Sequence, residues 1–125
     1  MLRDTHPAIL IVEDEPFIRM AAADIVADIG ATPFEAADAG EALAILDEHP
    51  EIRLLFTDVH MPGMDGVSLV REARAMRPDM PVLVTSALRH LADDDLPEDG
   101  AFLPKPYGSA QLASAVERTL ATRPH

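Results

Sequence analysis

Four stretches of the chain set a chemically active side chain directly behind, or at the end of, a run of large apolar residues. Glu13-Asp14-Glu15 follows "AILIV", Asp58 ends "LLFTD", Thr85-Ser86 ends "PVLVTS", and Lys105 follows "AFLP" between two prolines. An ionised carboxylate at the end of a buried run is costly unless something pairs with it. If Glu13, Asp14 and Asp58 stand together, they repel one another, and their charge calls for a hard cation with oxygen ligands. Mg²⁺ suits such a site, since it needs few carboxylates and keeps waters or takes a phosphate oxygen. Lys105 adds a compact positive charge and Thr85 a hydroxyl donor. A carboxylate nucleophile, a metal and an ammonium together suit phosphoryl transfer, in which Asp58 attacks phosphorus to form an aspartyl phosphate.

The elements that must position these groups follow from hydrophobic patterning. Ala8–Val12, Leu54–Asp58, Pro81–Ser86 and the shorter Ala101–Pro104 read as strands covered on both faces, and Thr32–Ala36 as a weaker one. Between them lie segments of helical period. Pro16 takes the first helical position after Glu15, Ile18, Ala22, Ile25 and Ile29 form a stripe, and Gly30 ends the helix. Ala39–Glu48 carries Ala42, Leu43 and Leu46. Val67, Val70 and Ala73 mark a third helix, and a last one bears Leu112, Ala113, Val116 and Leu120 behind Ser109 as N-cap. Leu88–Gly100, with three consecutive aspartates and Pro97, predicts a short or irregular fourth helix. The alternation predicts an α/β fold, a doubly wound parallel sheet with right-handed crossovers. In such a sheet ligands bind beyond the carboxyl ends of the strands, where all the groups above fall.

The chain has 125 residues, 48% of them apolar, which predicts one domain with its core over about residues 8–120. There is no cysteine, which excludes disulfides and thiolate metal sites and suits a cytoplasmic protein. The net charge of −12 disfavours direct binding to nucleic acid. No apolar run reaches the length of a membrane span. His49, His60 and His90 lack metal-site spacing, and Asp93–Asp95 reads as a solvated face.

"ILIVEDEP", "FTDVHMPGMDG", "PVLVTSA" and "LPKPY" together resemble the signature segments of the response-regulator receiver domain of two-component signalling, over about residues 8–120. The resemblance implies a CheY-like, flavodoxin-like five-stranded sheet of order 2-1-3-4-5. It implies Asp58 as phosphoacceptor and Glu13 and Asp14 as the acidic pair for Mg²⁺. It also implies His60 as the residue whose backbone carbonyl ligates the metal, Thr85 as the switch hydroxyl, Lys105 as the phosphate-binding lysine and Phe102 as the switch aromatic. It further implies a cis Lys105–Pro106 peptide bond. A histidine kinase or histidine phosphotransfer protein is the implied phosphodonor and a downstream protein the implied target. The only catalysis implied is of the domain's own phosphorylation and dephosphorylation. The Glu-Asp pair replaces a commoner Asp-Asp, and the acidic, proline-broken segment after Thr85 departs from the family's usual signalling face.

Other readings of the same residues remain. Asp58 can cap a turn, Glu13–Glu15 can be an acidic helix start, Thr85 an ordinary strand residue with Ser86 as its rival, and Phe102 a core side chain. An aspartyl-phosphate phosphohydrolase usually has a second aspartate two residues after the nucleophile, where this chain has His60. A receiver-like domain that only binds partners lacks one of the key groups, and this chain has them all.

Overall fold

In a computed structural model, which describes residues 6–59, 66–86 and 101–121, β1 (Ala8–Val12) lies inside the sheet, buried along its whole length. Its side chains alternate between two apolar layers. Leu10 and Val12 join the layer under α2 (Ala39–Glu48) and α3 (Gly66–Met76). Ile9 and Ile11 join the layer under α1 (Pro16–Asp28) and α4 (Ser109–Ala121). An unbroken apolar run is what a strand needs when both of its faces are covered. β3 (Ile52–Asp58) and β4 (Val82–Ser86) obey the same rule.

The five strands run in the order β2-β1-β3-β4-β5, with β2 (Thr32–Ala36) and β5 (Ala101–Pro104) at the edges, and every pair is parallel. This is the expected topology. The weak pattern of "TPFEA" belongs to an edge strand that is half open to solvent, where Pro33 is tolerated. The expected element over residues 88–100, with His90 and Asp93–Asp95, lies outside the described residues.

The helix ends are held by specific caps. At α1 the Glu15 carboxylate accepts the Ile18 amide at 2.9 Å, with Pro16 at the first helical position. At the other end Gly30 has φ +99°, and the amides of Gly30 and Ala31 return to the carbonyls of Ala27 and Val26, both at 3.0 Å. At α2 Asp38 accepts the Glu41 amide at 2.8 Å while Glu41 reaches back to the Ala37 amide at 3.0 Å. Its last turn is closed from outside. Arg77 donates to the carbonyls of Leu46 (2.7 Å), His49 (2.6 Å) and Ile52 (2.7 Å), tying α2 to the start of β3.

Two expectations shift by one position. The buried stripe of α1 is Ala22, Ala23 and Val26, with Ile25 and Ile29 at its edge and Ile18 exposed. The helix is apolar on most sides, so periodicity alone does not fix its rotation. Two adjacent alanines let it lie close to the sheet, and that rotation turns Arg19 toward the strand ends. The N-cap of α4 is Gly108 rather than Ser109. The Gly108 carbonyl accepts the first helical bond, from Leu112, at 3.1 Å, and Gln111 accepts the Gly108 amide at 2.6 Å.

Gly66, the first residue of α3, packs directly on the end of β3. Its amide donates to the Val59 carbonyl at 2.7 Å, and a Cβ there would meet the Asp58 carbonyl oxygen and the Val59 Cα. A glycine is therefore required by close backbone approach, not by a special φ. Gly66→Ala is expected to lower the unfolding free energy by about 1–3 kcal/mol, the usual cost of overpacking. Urea unfolding checks this, and a variant as stable as the parent would show that α3 shifts freely.

Candidate functional site

One backbone device delivers all the reactive side chains to the carboxyl edge of the sheet. Just beyond β1 the Glu13 amide donates to the Ala36 carbonyl of β2 at 3.1 Å. Just beyond β3 the Val59 amide donates to the Thr85 carbonyl at 3.0 Å, and just beyond β5 the Lys105 amide donates to the Ser86 carbonyl at 2.9 Å. Each ladder is thus extended one residue past its strand, and residues far apart in sequence end level with one another. Asp58 pairs with Thr85 in the β3–β4 register, so their side chains leave the same face of the sheet. The Lys105–Pro106 bond is cis, as the resemblance implied.

At the centre stands an ammonium shared by two carboxylates. Lys105 Nζ donates to Glu13 Oε1 at 2.7 Å and to Asp58 Oδ2 at 3.0 Å. Glu13 and Asp58 are only 4% and 6% exposed. Asp14 is exposed beside them, and carboxylate oxygens of Glu13, Asp14 and Asp58 all lie within 4.8 Å of one another. Three carboxylates face one lysine. The oxygen-only donor set and the excess negative charge fit a hard divalent cation.

The protonation equilibria follow from this crowding. Burial pushes the Glu13 carboxyl above its usual range, against the pull of the Lys105 hydrogen bond and the Glu15 amide, and the Asp58 charge adds to the rise. For Lys105 burial works downward. The hydrogen bonds to Glu13 and Asp58 outweigh it and hold the ammonium above the usual lysine value. Burial also raises Tyr107, which packs edge-on against Phe56 at 5.9 Å.

Further contacts fix the surroundings. The second oxygen of Glu13 accepts the Glu15 amide at 3.1 Å. Thr57 Oγ1 donates to the Asp58 carbonyl at 2.9 Å. The Thr85 hydroxyl is buried and has no hydrogen-bond partner among the described residues. Leaving such a group unpaired costs about 1–3 kcal/mol, so it is poised to accept a new partner next to Asp58. Ser86 is also buried, and its carbonyl is taken by the Lys105 amide. Phe102 is half-buried on β5 beside Val84, against the layer under α2 and α3. His60 lies outside the described residues. His49 pairs with Glu51 at 3.1 Å.

Three contributors had no clear sequence signal: Arg19, whose Nη1 donates to the Glu13 carbonyl at 2.9 Å, Thr57 and Gly66. Only the second glycine of "GMDG" offered a hint, as a small residue at a helix start.

A stability prediction follows from Glu13. Its proton is held more tightly in the folded chain than in the unfolded one. As pH rises above the ordinary value of 4.5, the unfolded chain therefore releases its proton first and the folded state loses stability. Without divalent metal, the melting temperature of Glu13→Gln relative to the parent is expected to move in the variant's favour between about pH 4 and about pH 7. A shift in the parent's favour would contradict the raised carboxyl.

Comparison with known proteins agrees with this geometry. Residues 9–117 match the response regulator receiver domain family. The chain is 40% identical over 119 residues to the sensor kinase CckA of Brucella abortus, covering 90% of this chain and 12% of that protein. It is 30% identical over 115 residues to the response regulator receiver protein CpdR of the same organism, covering 90% of this chain and 95% of CpdR. It spans 24% of the DNA-binding transcriptional regulator NtrC of Salmonella typhimurium, at 32% identity over 88% of this chain. Several relatives are thus much longer proteins. The crystal structure of the CckA receiver domain superposes with a TM-score of 0.79 at 38% identity, covering 90% of this chain and 98% of that one. A receiver protein from Sinorhizobium medicae superposes with a TM-score of 0.85 at 28% identity, covering 95% and 98%. Among the described residues no helix is long and apolar enough to cross a membrane. In sequence, topology and the arrangement of its strand ends, the chain belongs to the response-regulator receiver domain family of two-component signalling.

Proposed function

We propose that Asp58 is the phosphoacceptor and that its phosphorylation switches a protein-binding surface. The observation that carries this reading is the Asp58 carboxylate held by Lys105 at the end of β3, with Asp14 exposed within reach of a shared cation. An Asp58 oxygen attacks the phosphorus of a phosphohistidine. The P–O bond forms as the P–N bond breaks, and the bonding electrons leave with the imidazole nitrogen. Lys105 stays within hydrogen-bonding distance of the reacting carboxylate and offsets charge on the transferring oxygens. Glu13, Asp14 and Asp58 would hold Mg²⁺, which when bound would supply the remaining positive charge. The backbone carbonyl of His60 is assigned to the same ion by family resemblance alone.

The acyl phosphate then offers acceptor oxygens next to the Thr85 hydroxyl, which has no hydrogen-bond partner among the described residues. Movement of Thr85 leaves space that Phe102, half-buried on the neighbouring strand, can fill. Catalysis is confined to forming and losing this phosphate on the chain itself. The −12 net charge supports a protein, not nucleic acid, as the direct target. For the phosphodonor, a histidine kinase or histidine phosphotransfer protein, an apolar groove of about 670 Å³ runs from Lys105 between α1 and the start of α4. It is lined by Phe17, Ile18, Ile25 and Tyr107, and Phe17 is 80% exposed. Exposed apolar surface of this kind suits a helical partner.

Acetyl phosphate with Mg²⁺, followed by intact-mass measurement, tests the assignment. One phosphoryl adduct is expected on the parent chain and none on Asp58→Asn or in the presence of chelator. With a phosphohistidine protein as donor, Phe17→Glu should slow transfer while leaving the acetyl phosphate reaction intact. An unmodified parent chain would overturn phosphoacceptance, and steady turnover of p-nitrophenyl phosphate would point to a hydrolase.

A further inference from the structure

Asp14 contributes the one exposed carboxylate of the acidic cluster, and its side chain makes no hydrogen bond among the described residues. Glu13 is locked by Lys105 and the Glu15 amide, and Asp58 by Lys105 and the sheet. What orients Asp14 must therefore act through its backbone. The Glu13 carbonyl belongs to the peptide plane that joins Glu13 to Asp14. Fixing that oxygen fixes the direction from which the Asp14 side chain leaves the turn.

Arg19 holds that oxygen. Its Nη1 donates to the Glu13 carbonyl at 2.9 Å, and its Nε donates to Glu35 Oε1 on β2 at 3.3 Å. The guanidinium itself is mostly covered, with the side chain 20% exposed. Its backbone is fixed as well, since the Arg19 amide donates to the Glu15 carbonyl at 3.0 Å within α1. A planar fork with one arm on the strand end and the other on a neighbouring strand is a rigid brace, which a lysine cannot reproduce in full.

We propose that Arg19 is a positioning residue for the cation site, setting the Glu13–Asp14 peptide so that Asp14 points at the ion shared with Asp58. The proposal rests on the Mg²⁺ reading above. Arg19 carries positive charge close to a cation site, so through charge alone its removal tightens Mg²⁺ binding. Through positioning its removal weakens binding, as loss of the partners that orient metal ligands commonly does by about 10-fold or more.

Calorimetric titration of the full chain with MgCl₂ alone decides between these, with melting in metal-free buffer as the check on folding. Mg²⁺ affinity is expected to fall about 10-fold in Arg19→Met, with Arg19→Lys between that variant and the parent. Arg19→Met binding as tightly as the parent, or more tightly, overturns the proposal. If Arg19→Met does not fold, Arg19→Lys decides: reduced affinity supports the proposal and parental affinity overturns it. A parent chain that binds no Mg²⁺, or an Asp14→Asn variant that binds it undiminished, overturns the cation reading and this proposal with it. Binding by the parent that is lost in Asp14→Asn but kept in Arg19→Met removes the role of Arg19 alone.

Discussion

The Lys105 ammonium between Glu13 and Asp58 is the interaction on which the rest of the site depends. Two buried carboxylates at the ends of adjacent strands repel each other and are poorly solvated. The single ammonium makes their approach tolerable, but it leaves them and Asp14 with more negative charge than positive. That imbalance leaves the cluster fit for a hard cation.

The sheet supplies the precision this balance needs. Glu13, Asp58 and Lys105 come from three strands, separated in the chain by tens of residues. Each is placed by an amide at or next to the reactive residue that continues a strand ladder past its regular end. Because neighbouring strands register residue by residue, a slip of one position would turn a reactive side chain into the opposite layer. The continuous apolar sequences of β1, β3 and β4 therefore serve the site as well as the core. Gly66 adds a steric condition, since α3 can begin directly beneath Asp58 only where there is no side chain. The Arg77 brace, which closes α2 onto the start of β3, acts at the opposite end of the same strand.

Much of this was legible in the sequence because strand ends are marked twice, by the apolar run and by the charged residue that stops it. Val12-Glu13, Thr57-Asp58 and Pro104-Lys105 each carry that double mark. The doubly wound parallel sheet followed from alternation and its strand order from the family resemblance, and the edge position of β2 explains why its signal was faint. Details set by tertiary geometry were not legible. Nothing in "PFIRMAAADIVAD" tells which apolar stripe faces inward, since alanines and isoleucines compete on adjacent faces, and the choice of Ala22, Ala23 and Val26 is what brings Arg19 to the Glu13 carbonyl. The shift of the α4 cap from Ser109 to Gly108 has the same character. There the Gln111 side chain reaches back to the amide of the cap residue, a contact that the identity of Ser109 does not foretell.

The shared ammonium is tested most directly by NMR titration of the Lys105 side chain in metal-free protein. Burial alone would place its midpoint below the ordinary lysine value of 10.5, whereas the two carboxylates hold it above. A midpoint above 10.5 in the parent that drops in Glu13→Gln is the expected result. A midpoint at or below 10.5 that ignores the removal of Glu13 would contradict the account.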